Sequence, residues 1–200
     1  GSGSARLGYD VAGPGDLDGD GLGDVLVGAP YEAAAAGVVR ALSGVDGHTL
    51  WSLTGSGPGG RFGQSLAGLG DLDGDGIGDL AVGAPFDGGA GTYAGRVEVV
   101  SGVNGALLLA LTGAPFDQFG FDVAGLGDLD GDGLGDFAIG APFDDRGGFN
   151  AGALVVVSGG TGTRIFELFG AAAGDWLGHR VAGAGDVDRD GVLDLLVGVP

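Results

Sequence analysis

The sequence predicts an all-β fold built of β-propeller blades with four antiparallel strands each, and about three and a half blades in this chain. Two observations predict it. First, the acidic stretch GDLDGDGLGD returns in four closely related copies, whose first aspartates are 55, 57 and 58 residues apart. A near-constant period of this length is typical of repeat architectures. Second, each complete repeat holds four apolar runs of four to seven residues, and no stretch has a helical apolar period.

Each repeat carries its predicted strands in the same order. A run such as YDVAG precedes the acidic loop, and a run ending in Gly-Ala-Pro follows it, as VLVGAP does from Val25. After a loop of variable length come GVVRALSG from Gly37 and HTLWSLTG from His48. Three complete repeats and half of a fourth therefore predict fourteen strands. Because the runs are mostly apolar, we expect both faces of each sheet to be buried, as in stacked blades. A β-sandwich explains short strands but not their regular return.

An apolar residue followed by Gly opens each repeat and sets its boundary. We assign residues 1–6 to a linker or leader, residues 7–61, 62–118 and 119–176 to three complete repeats, and residues 177–200 to half of a fourth. This number of blades does not close a ring. The chain is therefore either part of a longer protein or a unit that completes a ring by self-association, because an uncovered blade invites a partner.

Composition and charge exclude several classes of protein. The 50 Gly and 7 Pro would be typical of disorder without a period, but 44% of the residues are hydrophobic, which is enough for a core. We interpret the glycines as markers of turns. The net charge is −19, and sixteen of the 27 acidic residues lie in the repeated loops. Without Lys or a cluster of Arg, the sequence predicts no nucleic-acid partner. It contains no Cys and no apolar run long enough to span a membrane.

The acidic loops have the spacing of a calcium cage. Aspartates at positions 1, 3 and 5 offer carboxylates, position 7 offers a backbone carbonyl, and Gly at position 6 allows a sharp turn. An EF-hand closes on a Glu at position 12, but here position 12 is Val27, Val82, Ile139 or Val197, inside a predicted strand. We therefore expect the Asp at position 9 to close each loop. An acidic turn without metal is the alternative interpretation.

The prediction is four Ca²⁺ sites, each with five ligands. The predicted ligands are Asp16, Asp18, Asp20, Leu22 and Asp24; Asp71, Asp73, Asp75, Ile77 and Asp79; Asp128, Asp130, Asp132, Leu134 and Asp136; and Asp186, Asp188, Asp190, Val192 and Asp194. Position 4 is Gly in three loops and Arg189 in the fourth. We conclude from Arg189 that position 4 does not require glycine geometry, and we expect the added positive charge to make the fourth site the weakest.

Three features together resemble the FG-GAP repeat of integrin α-subunit propellers and their bacterial relatives. They are Phe-Gly at residues 62–63 and 119–120, the D-x-D-x-D-G-x-x-D loop, and Gly-Ala-Pro. The resemblance covers nearly the whole chain, although the first and fourth copies have Leu-Gly. It implies Ca²⁺ between the first two strands of each blade and a closed ring of about seven blades. Calcium sites of this kind suit millimolar extracellular calcium, so we expect an extracellular or cell-surface protein.

The loops after the second and fourth strands of each blade lie on the face opposite the acidic loops in an antiparallel meander. These loops vary in length, which is typical of recognition loops on a fixed scaffold. We therefore predict a binding or adhesion module with a protein or glycan ligand, and no enzyme. The alternatives are a self-assembling scaffold and part of a polysaccharide lyase, because some of those lyases resemble this propeller. The predicted ligand contacts are Tyr31, Phe86, Tyr93, Phe116, Phe143, Phe149 and Trp176. Packing between blades is the alternative for Phe86 and Phe143.

Overall fold

The computed structural model describes residues 5–200, so the first four residues of the predicted linker or leader lie outside the described residues. Fourteen strands form three sheets of four and one sheet of two, with consecutive strands adjacent and antiparallel. The all-β prediction and its three and a half blades are thus confirmed. The strands are β1 (Val11–Gly15), β2 (Asp24–Ala29), β3 (Val38–Leu42), β4 (Thr49–Thr54), β5 (Ser65–Gly70), β6 (Asp79–Ala84), β7 (Arg96–Val100), β8 (Leu107–Thr112), β9 (Asp122–Gly127), β10 (Asp136–Ala141), β11 (Ala153–Val157), β12 (Arg164–Phe169), β13 (Arg180–Gly185) and β14 (Asp194–Gly198).

One short helical segment, α1 (Glu32–Ala35), lies between β2 and β3, where the sequence predicted none. Its three alanines have φ values of 52°, 60° and 59°, so the segment is a left-handed turn rather than an ordinary α-helix. The N–H of Gly37 closes it on the carbonyl of Glu32 at 3.1 Å. The Arg40 guanidinium also donates two hydrogen bonds to the Glu32 carboxylate. Within the described residues, no helix has the length and apolar character needed to cross a membrane.

Burial decreases from the middle strands to the outer strand of each four-stranded sheet. The first strands contact one another from sheet to sheet, so they lie on the inner side and the fourth strands on the outer side. Every residue of β6, β10 and β11 is buried, as expected for stacked blades. The outer strands β4, β8 and β12 instead mix exposed and partly buried residues. These strands lie at the outer edge of the blades, so the expectation that both faces of the sheet are buried does not hold for them.

Neighbouring sheets approach closely at the glycine of Gly-Ala-Pro. A β-carbon on Gly83 would lie 2.3 Å from the carbonyl oxygen of Gly120, and one on Gly140 would lie 1.9 Å from that of Gly178. Gly120 and Gly178 belong to the pairs that open the next repeat. The interpretation of the glycines as turn markers was therefore incomplete, because these glycines let two backbones meet between blades.

Candidate metal centre and opposite loop face

The four acidic loops join the first and second strands of their sheets, and each loop brings three carboxylates together. In every loop, oxygens from the aspartates at positions 1, 3 and 9 lie within 4.8 Å of one another. The groups are Asp16, Asp18 and Asp24; Asp71, Asp73 and Asp79; Asp128, Asp130 and Asp136; and Asp186, Asp188 and Asp194. Ca²⁺ binds oxygen at about 2.3–2.6 Å, so two ligands of one ion are at most about 4.6–5.2 Å apart. The three carboxylates of each loop therefore fit around one hard divalent cation.

The aspartate at position 1 is oriented by backbone N–H groups of its own loop. Oδ1 of Asp16 accepts hydrogen bonds from Gly19 at 2.7 Å and Asp20 at 3.2 Å, and Oδ2 accepts one from Gly21 at 2.8 Å. The N–H of Gly21 makes the largest contribution to holding the pKa of Asp16 below its ordinary value. Asp16 is therefore ionised at neutral pH, as a metal ligand must be.

The aspartate at position 5 lies outside the group of three close carboxylates. Within residues 5–200, the groups of close carboxylates do not include Asp20, Asp75, Asp132 or Asp190. Oδ1 of Asp20 accepts a hydrogen bond from the N–H of Leu22 at 2.8 Å, and the other three loops have the same turn. The local turn thus uses the backbone N–H of position 7. Metal binding by the position 5 carboxylate and the position 7 carbonyl stays a prediction.

The aspartate at position 9 connects each of the first three loops to a second turn of the same blade. Asp79 is fully buried and accepts hydrogen bonds from Leu72 in its own loop, at 2.8 Å, and from Gly102, at 3.1 Å. Gly102 lies in the turn between β7 and β8. Burial raises the pKa of Asp79, and the two N–H groups oppose that rise.

Asp24 and Asp136 repeat this arrangement with Gly44 and Gly159 as donors. This role of the Ser-Gly turns was not predicted from the sequence. Their fixed place after every third strand was the available signal.

The fourth loop lacks part of this support. Asp194 accepts hydrogen bonds from Val187 at 2.7 Å and Asp188 at 3.4 Å, both in its own loop, and it is partly exposed. Asp136, the equivalent residue of the third blade, is fully buried. The third and fourth loops therefore offer the same carboxylates in different surroundings.

Position 4 has left-handed backbone in all four loops. The φ values are 79°, 82° and 82° at Gly19, Gly74 and Gly131, and 67° at Arg189. The conclusion that this position does not require glycine geometry is therefore wrong, because Arg189 adopts that geometry. A β-carbon in this region costs about 1–2 kcal/mol. The fourth loop thus contains a strained residue that the other three avoid.

The loops after the second and fourth strands meet at the opposite end of each blade. The N–H of Gly55 donates to the carbonyl of Gly37, and that of Phe62 donates to the carbonyl of Ala36. This placement agrees with the predicted division into an acidic face and a variable face.

Four of the seven aromatic candidates line one depression on the variable face. Tyr93, Phe116, Phe143 and Phe149 surround a volume of about 350 Å³, together with Gln118, Asp145 and Asn150. Phe116 and Phe149 are 61% and 73% exposed, whereas Phe143 is less exposed and partly buried. Aromatic side chains with polar neighbours in a concave surface are typical of ligand sites.

The other three aromatic candidates extend this cluster on both sides. Trp176 packs on Phe143 with ring centroids 5.7 Å apart, and Phe86 packs edge-on against Tyr93 at 5.6 Å. The Arg61 guanidinium lies 5.0 Å from the ring centre of Tyr31 and 4.0 Å from that of Phe86. Phe86, like Phe143, is partly buried among its neighbours.

A backbone feature that was not predicted from the sequence repeats on this face. The residue before each apolar-Gly pair has a positive φ, with values of 52°, 57°, 52° and 53° at Arg6, Arg61, Gln118 and Trp176. Arg6 and Arg61 both place their guanidinium groups against Tyr31. The constant position before the pair was the available sequence signal, since the residue type changes from Arg in the first two repeats to Gln and Trp in the others.

Stacked four-stranded sheets with an acidic loop after each first strand define a segment of a β-propeller whose acidic loops could hold metal ions. The chain belongs to the FG-GAP repeat family, whose repeat matches residues 7–42, 62–100 and 119–157. Those segments contain the first three strands of each complete blade.

The curated relatives include integrin alpha subunits. The chain is 35% identical over 216 residues to integrin alpha-V of Gallus gallus and 35% identical over 210 residues to integrin alpha-5 of Xenopus laevis. Each match covers 96% of this chain and 20% of the relative, so the chain spans about one fifth of the length of these proteins.

The similar solved structures include two rhamnogalacturonan lyases. A rhamnogalacturonan lyase of Bacillus licheniformis matches with a TM-score of 0.58 at 20% identity, over 93% of this chain and 39% of the enzyme. The rhamnogalacturonan lyase YesW matches with a TM-score of 0.58 at 19% identity and the same coverage. At this identity the similarity shows the fold alone.

Proposed function

We propose that the chain is a calcium-binding β-propeller segment that acts as an extracellular binding or adhesion module. The observation that carries the proposal is the group of three carboxylates within 4.8 Å, present in all four loops. Its repetition in a chain related to integrin alpha subunits supports the adhesion role and the extracellular location. No catalytic role is proposed, because the similarity to the lyases concerns the fold alone.

The proposed centres use all five predicted positions of each loop. Ca²⁺ takes six to eight oxygen ligands, so three clustered carboxylates, the position 5 carboxylate, the position 7 carbonyl and water form a suitable set. The bound ion supplies positive charge that offsets the repulsion among the aspartates. Oxygen-only ligands in a flexible loop favour Ca²⁺ over Mg²⁺, and the absence of His and Cys from the loops disfavours Zn²⁺.

Each proposed repeat contains one sheet of the structure. The repeats are residues 7–61, 62–118, 119–176 and 177–200. A blade so defined contains its own acidic loop and its own position 9 aspartate. This division supports one ion per blade.

Thermal unfolding in chelator, Ca²⁺, Mg²⁺ and Zn²⁺ tests the metal proposal. At a free concentration of 100 times Kd, each ion that binds only the folded chain adds about 2.7 kcal/mol to the free energy of unfolding. We expect Ca²⁺ to raise the unfolding midpoint strongly, and Mg²⁺ and Zn²⁺ to raise it much less. Equal midpoints in chelator and Ca²⁺ would exclude functional metal sites, and equal midpoints in Mg²⁺ and Ca²⁺ would contradict the proposed cage.

The binding role is assigned to the aromatic depression on the variable face. Screening the chain saturated with Ca²⁺ against glycan and extracellular-matrix protein arrays should identify ligands, and Phe149→Ala should weaken their binding. Phe166→Ala is the matched control, because Phe166 is an exposed aromatic residue on the outer strand β12, outside the depression. Equal losses in the two variants would argue against this surface as the ligand site.

A second candidate function, assembly with further blades, is favoured by the exposed surface of the first sheet. Val11 and Val25 are 57% and 40% exposed, whereas their repeat equivalents Leu66 and Leu80 are buried against the preceding sheet. At the other end, Leu196 is exposed.

We propose that further blades cover these surfaces, contributed either by a longer chain or by a second copy. Sedimentation equilibrium over a range of concentrations separates the two sources. Reversible dimerisation that Val11→Asp abolishes would support self-assembly, and a monomer at all concentrations would support a longer chain.

A further inference from the structure

A groove of about 440 Å³ lies between the second and third sheets, beside the outer strand β8. Residues 107–109 of β8, Val99 of β7, Leu72 and Asp73 of the second acidic loop, and the turn at residues 159–162 line it. This volume falls in the range of about 300–1,000 Å³ that is common for small-molecule sites. The groove lies outside the aromatic depression described above.

The equivalent position between the first and second sheets is occupied by Trp51. Trp51 pairs with Ala41 across β4 and β3, as Leu109 pairs with Val99 across β8 and β7, so the two residues hold the same repeat position. Trp51 packs against the core between the sheets, and its indole N–H donates a hydrogen bond to the carbonyl of Gly102 at 2.8 Å. The chain itself therefore shows which chemical group this position accepts.

Gly159 is the counterpart of Gly102 in the third sheet. Each donates its own N–H to the buried position 9 aspartate of its blade, Gly102 to Asp79 and Gly159 to Asp136. The two interfaces also have the same apolar residue beside this glycine. A β-carbon on either glycine would lie 2.9 Å from a leucine Cδ2, that of Leu17 in the first interface and of Leu72 in the second.

Two replacements remove side-chain volume from the second interface. Leu109 is smaller than Trp51 and has no N–H to offer Gly159. Gly160 stands where the second sheet has Val103, one residue after the Ser-Gly pair. These two differences leave a groove with the walls of the first interface but without its indole ring. Leu107 and Leu108 at the groove are 55% and 39% exposed, which adds apolar surface for a ligand to cover.

We propose that the groove binds a small indole-type molecule, that is, a planar aromatic ring with one N–H donor. The ring packs against Leu72, Val99 and Leu109, and its N–H donates to the Gly159 carbonyl, in the orientation that Trp51 adopts one blade earlier. Aromatic rings with a polar handle suit such a site because they bury a large apolar area while the N–H finds its acceptor.

The test is an NMR titration of the Ca²⁺-saturated chain with indole and with 1-methylindole. Indole should shift the amide signals of Gly159, Gly160 and Gly162. 1-Methylindole has the same ring without the donor and should bind about fivefold more weakly, the ratio expected for one lost hydrogen bond. This comparison uses the unaltered chain, so it does not depend on the folding of a variant.

Two variants locate the site. Leu109→Trp fills the groove with the residue that the first blade uses, so it should abolish indole binding while keeping or raising the thermal midpoint. Leu109→Met conserves volume and should retain binding. The proposal is overturned if indole causes no shifts up to its solubility limit, if 1-methylindole binds as tightly as indole, or if Leu109→Trp binds indole normally.

Discussion

Replacing Arg189 tests whether charge and backbone strain make the fourth acidic loop the weakest of the proposed Ca²⁺ sites. Arg189 is exposed, carries the only positive charge in the four loops, and has a φ of 67° where the other loops have glycine. Two variants separate its two effects. Arg189→Gln removes the charge but keeps a β-carbon in the left-handed region, whereas Arg189→Gly removes both.

The expected magnitudes follow from these two features. Relief of strain in Arg189→Gly should raise the free energy of unfolding by about 1 kcal/mol, the lower end of the cost of a left-handed β-carbon. The Arg189 guanidinium is exposed and its charge is screened by solvent. Loss of this charge should therefore tighten Ca²⁺ binding at the fourth site by only about two- to fivefold in both variants. The reverse change, Gly131→Arg, should lower stability and weaken the third site by similar amounts.

An NMR titration in buffered Ca²⁺ reads the sites separately, and urea unfolding at saturating Ca²⁺ measures stability. The N–H of Gly191 donates to Asp186, and that of Gly133 donates to Asp128, so their amide signals report the fourth and third sites. In the unaltered chain, Gly191 should titrate at a higher Ca²⁺ concentration than Gly133. The reasoning is refuted if both signals titrate together and Arg189→Gln changes neither affinity.

Three further predictions concern stability. Gly140→Ala should lower the free energy of unfolding by about 3 kcal/mol, because the added β-carbon would lie 1.9 Å from a backbone oxygen of the next blade. At Gly198 the nearest atom would be 3.2 Å from the β-carbon, so Gly198→Ala should change stability little. Equal urea midpoints of the two variants would contradict this prediction. Burial raises the pKa of Asp122 above 3.8, so ionising Asp122 disfavours folding. Asp122→Asn keeps an acceptor for the Val181 N–H, and its stability relative to the unaltered chain should increase as the pH rises from about 3.8 through the raised folded pKa. A pH-independent difference in chemical unfolding would refute that assignment. Trp51→Leu should lower the free energy of unfolding by about 2–4 kcal/mol, measured by thermal unfolding. It should also create a second indole site, which indole titration would detect. An unchanged midpoint would contradict the packing role of Trp51.

The repeat period and the residues inside each repeat were sufficient to predict the blades. Gly, Pro and Asp bound each apolar run, so strand limits could be placed without knowing how the sheets stack. The carboxylate groups were predictable for the same reason. Asp16, Asp18 and Asp24 lie within one short loop, and local geometry alone brings their oxygens together.

Features that depend on contacts between distant residues could not be predicted in this way. The glycine at residue 140 is explained only when the next blade is in place, 38 residues later at Gly178. The left-handed backbone at Arg189 was predicted wrongly, because a residue other than glycine does not exclude a positive φ. The hydrogen bond from the N–H of Leu22 to Asp20 was also not predicted, and metal binding by the position 5 aspartates stays a prediction.

The Ser-Gly turns connect the metal loops to the stacking of the blades. The N–H of Gly102 donates to Asp79 of its own acidic loop, while its carbonyl accepts the indole N–H of Trp51 from the preceding blade. One residue thus touches the proposed metal ligand on one side and the neighbouring sheet on the other. In repeat proteins, stability is approximately the sum of repeat and nearest-neighbour terms. The proposed metal site and the acceptor for Trp51 therefore share one residue, and we expect metal binding in one blade to stabilise its interface with the blade before it.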